Sequence, residues 1–175
     1  AADSFDISHD LQSLARSSVV TVCAGAKAIL DLPKTLEYLE TAGVCVIGYQ
    51  TRTLPAFYSR DSGLPLDYSA ESEDVIARAF VAREQLGLPG GLLVAAPIPA
   101  EYEIPADQIG ASIDLAVKQA AESGVHGKGV TPFLLASLAR ITAGRSVEAN
   151  LALLENNARV GARIAKAISV LERAV

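Results

Sequence analysis

Two features of the sequence predict an α/β domain: short apolar runs of strand composition alternate with longer stretches of helical periodicity, and turn residues stand at most of the junctions between them. A third feature describes its core. Half of the 175 residues are hydrophobic, yet aromatics make up only 5% and Trp and Met are absent, so Ala, Val, Leu and Ile must fill the interior. This length suits one domain over residues 1–175, able to bury most of its apolar surface without covalent staples.

The first strand is expected over Val19 to Cys23, a β-branched run that breaks at Gly25. Pro33 then opens a helix over Lys34 to Thr41, and Gly43 closes it. A second buried strand follows at Val44 to Ile47. Thr51 to Tyr68, with Pro55, Gly63 and Pro65, keeps no sustained period and is expected to be loop. Val75, Ile76, Ala79, Phe80 and Leu86 return to helical spacing until Gly87. Gly90-Gly91 leads into a third strand, Leu92 to Ala96, which Pro97 and Pro99 halt. Three helices follow with no further strand. The first starts at Pro105 with Ile109, Ile113 and Val117 on its apolar stripe. The second is capped by Thr131-Pro132 and carries Leu134, Leu135 and Leu138. The third is long, capped by Ser146 and runs past Leu171. No internal repeat, low-complexity segment or linker interrupts the pattern.

Composition removes several function classes. The net charge of −5 and the lack of any Lys/Arg cluster argue against a nucleic-acid backbone as partner, while leaving room for a single phosphate group. No apolar stretch approaches the ~18 residues of a membrane span, and the first residues lack a secretory signal pattern. Cys23 and Cys45 lie in apolar segments without C-x-x-C spacing, so they are expected to be reduced core thiols in a cytoplasmic protein. The chain begins without Met, which points to an upstream part that has been removed.

Lys27 is the residue most out of place. It follows Cys23-Ala24-Gly25-Ala26, where a parallel strand would end at the crevice of an α/β sheet. Partial dehydration there would lower its pKa and provide a neutral amine able to form a Schiff base; the alternative is a lysine that snorkels to water along its aliphatic stem. Asp6, Ser8 and Asp10 would point the same way on an extended segment, and the two carboxylates could hold Mg²⁺ or Mn²⁺. In the competing reading Ser8 caps a short helix carrying Leu11 and Leu14, with Asp10 favoured in its first turn. Asn150 and Asn157, seven residues apart, share a helical face with Leu154 and Ile164 and need partners in the protein, in another chain or in a ligand. His126 falls in a turn and is expected to be solvated.

Taken in order, Asp6-Ile7-Ser8-His9-Asp10-Leu11, Cys23-Ala24-Gly25-Ala26-Lys27-Ala28-Ile29-Leu30-Asp31, Thr35 to Thr41, Gly48-Tyr49-Gln50-Thr51, Leu54-Pro55-Ala56-Phe57-Tyr58, Pro97-Ile98-Pro99, Gly127-Lys128 with Thr131 to Leu135, and Glu148-Ala149-Asn150 through Asn156-Asn157-Ala158 closely resemble the pseudouridine-5′-phosphate glycosidases of the indigoidine synthase A-like family. The resemblance covers essentially the whole chain. It implies a three-layer α/β/α fold with a largely parallel or mixed sheet, assembled as a homotrimer. It also implies reversible cleavage of pseudouridine 5′-phosphate to uracil and ribose 5-phosphate.

By the same resemblance Lys27 is the Schiff-base nucleophile, Asp6 the ligand of Mn²⁺ or another divalent cation, and Ser8, His9, Asp10 and Asn150 are substrate contacts. The family more often has Ala where His9 stands, and its Thr-Gly-Gly reads Thr142-Ala143-Gly144 here. Family members are longer. The chain is thus expected to be the C-terminal part of the domain, and the portion ahead of Asp3, with a glutamate proton donor and a basic phosphate-binding residue, must come from a missing N-terminal segment or a companion chain. Two alternatives stand: a biosynthetic C-glycosynthase that joins ribose 5-phosphate to an aromatic acceptor, or a structural half without activity of its own.

Overall fold

The computed structural model describes residues 10–26 and 30–173. Among them, four strands form one all-parallel sheet in the order β1-β4-β2-β3: β1 is Val20–Cys23, β2 Cys45–Tyr49, β3 Tyr68–Ala70 and β4 Leu92–Ala95. The helices are α1 (Asp10–Arg16), α2 (Leu32–Thr41), α3 (Glu73–Gln85), α4 (Ala106–Glu122), α5 (Val130–Ile141) and α6 (Arg145–Glu172).

The connection from β1 through α2 to β2 moves two places across the sheet, and that from β3 through α3 to β4 moves two places back. Right-handed crossovers in opposite directions must lie on opposite faces. The packing agrees: Leu39 of α2 and Leu11 of α1 cover Leu93 and Val46 on one face, while Ile76 of α3 and Val160 and Ile164 of α6 cover Val22, Ile47, Leu92 and Val94 on the other. The result is the three-layer α/β/α fold. Beyond the carboxyl ends of the strands, α4, α5 and the first turns of α6 close a third apolar cluster on Ala24, Tyr58 and Ile98.

Several expectations need correcting. Tyr68–Ala70 pairs with β2 as a short strand, although its three residues offer no apolar run for a period to register. Ser146 does not cap α6; it is buried inside the helix, and Gly144 at φ +87° holds the cap position. Gly129 holds that position for α5, which begins at Val130 and so includes Thr131 and Pro132. Val117, Leu135 and Leu154 are exposed; the inward stripes are Ile109, Ile113, Ala116 and Ala120 on α4, and Leu153, Val160 and Ile164 on α6. Asp31, ahead of Pro33, caps α2 by accepting from the Lys34 amide at 3.1 Å.

Candidate active site

In open parallel sheets, ligands bind beyond the carboxyl ends of the strands. Here β1 ends in Ala24-Gly25-Ala26, β4 in Ala96-Pro97-Ile98 and β2 in Gln50-Thr51. The Ala96 amide donates to the Cys23 carbonyl at 2.8 Å, which extends the β1–β4 pairing to the rim. The long connection after β2 folds over this rim. Its Phe57 amide donates to the Ala24 carbonyl at 2.8 Å, and the Gly25 backbone lies so close to Pro55 that a Cβ on Gly25 would sit 1.8 Å from the Pro55 carbonyl oxygen. With φ at +88°, only glycine fits there.

The connection is fastened from beneath. Ser59 Oγ donates to the Ile104 carbonyl at 2.7 Å, Arg60 Nη1 to the Ile98 carbonyl at 2.5 Å, and the Arg60 amide to Glu103 Oε1 at 2.8 Å. Phe57 and Tyr58 meet edge to face at 4.8 Å. Two non-glycine residues at this rim, Gln50 at φ +54° and Phe57 at φ +62°, hold left-handed backbone, the kind of strain that surrounding contacts must enforce. Around Gln50, the contacts are its amide to the Ala70 carbonyl at 2.9 Å and its Nε2 to the Glu71 carbonyl at 3.3 Å.

From the opposite side, α6 supplies amides. Asn156 Nδ2 donates to the Pro97 carbonyl at 3.2 Å. Asn157 Oδ1 is buried and has no hydrogen-bond partner among the described residues. Its height can be bracketed: Gly161, one turn later, lies against Val22, and Leu153, one turn earlier, belongs to the cluster of Ala24. Asn157 therefore sits level with the end of β1. Asn150 is half-buried beside Ala149, which shares that cluster with Ala24 and Ile98.

Charge at the rim is fixed by short contacts. The Tyr49 hydroxyl donates to Glu73 Oε1 at 2.9 Å, and Arg163 Nη1 stands 3.5 Å from the same oxygen. The Glu73 carboxyl is held below the usual carboxylate range, first by its own backbone N–H and then by Tyr49 and Arg163. Burial pushes the Cys23 thiol up, with only partial relief from the Gly25 backbone, so this cysteine at the end of β1 is a neutral core thiol.

Of the residues singled out from sequence, Asp6, Ser8, His9 and Lys27 lie outside the described residues. Asp10 opens α1 as a first-turn acid, as the helix reading expected, and Leu11 behind it is buried. The Leu14 carbonyl accepts from the Gly91 amide at 2.8 Å, which ties α1 to the foot of β4. His126 is exposed in its turn. Among the described residues no group of three or more His, Cys, Asp or Glu gathers to hold a metal. Sequence reasoning missed Asn156, Arg60 and the close approach of Gly25 to Pro55. The only advance signal for that approach was Gly25 in an otherwise β-branched and alanine-rich run.

The sequence profile described as "Indigoidine synthase A like protein" matches residues 1–167. Two curated relatives are named pseudouridine-5′-phosphate glycosidase. The protein of Glaesserella parasuis is 56% identical over 91% of this chain and 53% of its own length, and that of Caldanaerobacter subterraneus subsp. tengcongensis is 52% identical over 98% and 56%. The chain thus spans a little over half the length of these relatives. Among solved structures, the prealnumycin C-glycosynthase AlnA in complex with ribulose 5-phosphate superposes with a TM-score of 0.90 at 36% identity, over 99% of this chain and 57% of that one. An indigoidine synthase A-like protein from Thermotoga maritima gives a TM-score of 0.82 at 37% identity, over 95% and 54%.

Proposed function

The chain belongs to the indigoidine synthase A-like family, and we propose that it is the C-terminal, nucleophile-bearing part of an enzyme that reversibly cleaves the carbon–carbon glycosidic bond of pseudouridine 5′-phosphate to uracil and ribose 5-phosphate. One observation carries the reading: relatives more than half identical to nearly the whole chain bear that enzyme's name.

In this reading the neutral Nζ of Lys27 bonds to C1 of the sugar as the bond from C1 to the ring oxygen breaks; the oxygen takes a proton and the nitrogen gives one up. The nitrogen lone pair then forms the imine as the bond from C1 to C5 of the base breaks, with C5 taking a second proton. Water hydrolyses the imine, releasing ribose 5-phosphate and the amine. The tight Gly25 turn, pinned at Pro55 and Phe57, is what would give Lys27 a fixed starting point. Ser8, His9, Asp10 and Asn150 would contact the substrate, and the proton donor and phosphate-binding group would come from the remainder of the family domain.

The hard carboxylate oxygens of Asp6 suit Mn²⁺ or another divalent cation, held mainly through water. The cation would supply positive charge beside the phosphorylated substrate. We read the assembly as a homotrimer working in the cytoplasm, which mass photometry and fractionation can check; no helix among the described residues is long and apolar enough to cross a membrane.

The test is covalent capture. Borohydride added with ribose 5-phosphate should leave a reduced pentose phosphate on Lys27, and Lys27→Arg, which keeps the charge but lacks the nucleophile, should abolish both the adduct and uracil release in the complete enzyme. An adduct on another lysine, or substantial turnover by the Arg variant, would refute the assignment. A second reading, a C-glycosynthase acting on an aromatic acceptor, is favoured by the likeness to AlnA. It predicts the same adduct without release of uracil from pseudouridine 5′-phosphate.

A further inference from the structure

Phe57 stands where an aromatic side chain strains the backbone. Its φ of +62° lies in the left-handed region, which a bulky residue occupies only under constraint and a glycine would occupy freely. The constraint is local and rigid. The Phe57 amide donates to the Ala24 carbonyl at 2.8 Å, and the turn is clasped by Ala56 and Ser59, whose amides donate to each other's carbonyls at 2.9 and 3.4 Å. The bonds of Ser59 to Ile104 and of Arg60 to Ile98 follow directly along the chain. The ring is therefore carried by a turn fixed to the end of β1. Strain of this kind in a bulky residue is a mark of functional sites.

Core packing uses only part of this ring. Tyr58, the next residue, is buried and belongs to the cluster of Ala24, Ile98 and Ile104. Phe57 borders the same cluster but stays half-buried. Its contact with Tyr58 has an interplanar angle of 84°, and an edge-to-face pair engages at most one face of the Phe57 ring. Tyr49, the aromatic at the end of β2, is committed elsewhere through its hydroxyl bond to Glu73. Phe57 thus brings a fixed, half-buried π surface to the rim beside Ala24-Gly25-Ala26, with Asn150 flanking the same cluster through Ala149.

We infer that Phe57 is the stacking partner of the substrate's planar ring, uracil in the proposed reaction. That substrate has two unlike ends. The phosphorylated sugar is charged and rich in hydroxyls, and an aromatic face offers it no hydrogen bond. The base is flat and heteroaromatic, and removing an aromatic side chain on which a base stacks weakens binding by roughly ten- to a hundredfold. A turn that fixes the ring plane before the ligand arrives also lowers the entropy lost on binding. Stacking reads flatness and not the pattern of donors and acceptors, so Phe57 holds the base in place without choosing among planar rings. The inference rests on the proposed function and assigns the base-side contact within that site.

The test treats the two ends of the substrate separately in the complete enzyme. Phe57→Leu keeps an apolar side chain but has no π face. Ribose 5-phosphate carries no base, so its borohydride adduct should form in this variant at the wild-type rate. The KM for pseudouridine 5′-phosphate should rise about tenfold, and Phe57→Tyr, which keeps the ring, should restore it. Phe133→Leu, at another half-buried ring on the same cluster, should change neither. Should Phe57→Leu fail to fold, Phe57→Trp decides: it adds the one Trp of this chain, and its emission, read against the wild type, should fall when uracil is added over saturating ribose 5-phosphate. An unchanged KM, a matching loss of the adduct, the same selective effect in Phe133→Leu, or emission that uracil does not move would each overturn the inference. A wild-type enzyme that gives neither adduct nor uracil would refute the proposed function itself, and the inference with it.

Discussion

Gly25→Ala should be among the most costly single-methyl additions this chain can receive, and its cost can be separated into parts. The new Cβ would meet the Pro55 carbonyl oxygen at 1.8 Å, and φ at +88° lies where an L side chain strains the backbone. The strain alone costs about 1–2 kcal/mol. Clearing the contact requires the Pro55 carbonyl or the Gly25 backbone to move by roughly an ångström. That movement strains or breaks the 2.8 Å bond from the Phe57 amide to the Ala24 carbonyl one residue away, for about another 1–3 kcal/mol. The sum is about 2–5 kcal/mol, which for a domain of this size lowers the melting temperature by roughly 4–20 °C. Gly43→Ala is the matched control: φ is +72°, but nothing lies within 4 Å of the added carbon, so it should cost only the strain. Denaturant titration of the two variants side by side reads the difference. Equal losses would show that the rim does not close on Gly25, and would remove the argument that this turn fixes the start of the segment carrying Lys27.

Asn157→Leu should stabilise the fold by about 1–2 kcal/mol, because it removes a buried oxygen without a partner among the described residues; a loss of stability instead would show that the oxygen is bonded. The Glu73 carboxyl is depressed in the folded state, so its contribution is present above the unfolded value near 4.3 and is lost as pH falls through the lower folded value. Glu73→Gln should therefore flatten the acid limb of a stability–pH profile, and an unchanged limb would dismiss the Tyr49–Glu73–Arg163 contact as a source of stability. Exhaustive EDTA treatment should suppress turnover of the complete enzyme and Mn²⁺ should restore it, whereas full activity after chelation would remove the cation from the proposal.

The layered fold was legible because strands and helices announce themselves by period. Leu92 to Ala95 is a continuous apolar run, and Ile109 and Ile113 repeat once per turn. Where a helix face is only partly covered the period says less: Leu135 and Leu154 are as apolar as their buried neighbours yet face outward, since which side of a helix meets the core depends on partners distant in sequence. β3 escaped because Tyr68-Ser69-Ala70 earns its pairing from β2 and not from its own composition. At the candidate site, the sequence order of the motifs pointed to the end of β1, but the meeting of Gly25 with Pro55, thirty residues on, exists only in space. The left-handed backbone of Phe57 has no signal at all in an aromatic residue.

The position of β4 bears on how the chain reaches its native state. β1 and β2 are made before β4, yet they are not neighbours; β4, the last of the described strands, lies between them and pairs with both. Until residues 92–95 have left the ribosome, β1 has no strand among the described residues to pair with, and β2 can recruit only the three residues of β3. Insertion of a late central strand between two early ones closes long loops in one step, which is slow and leaves hydrophobic edges waiting. Refolding should therefore be limited by the arrival of β4, and truncation before Leu92 should yield an aggregating species and not a smaller stable sheet.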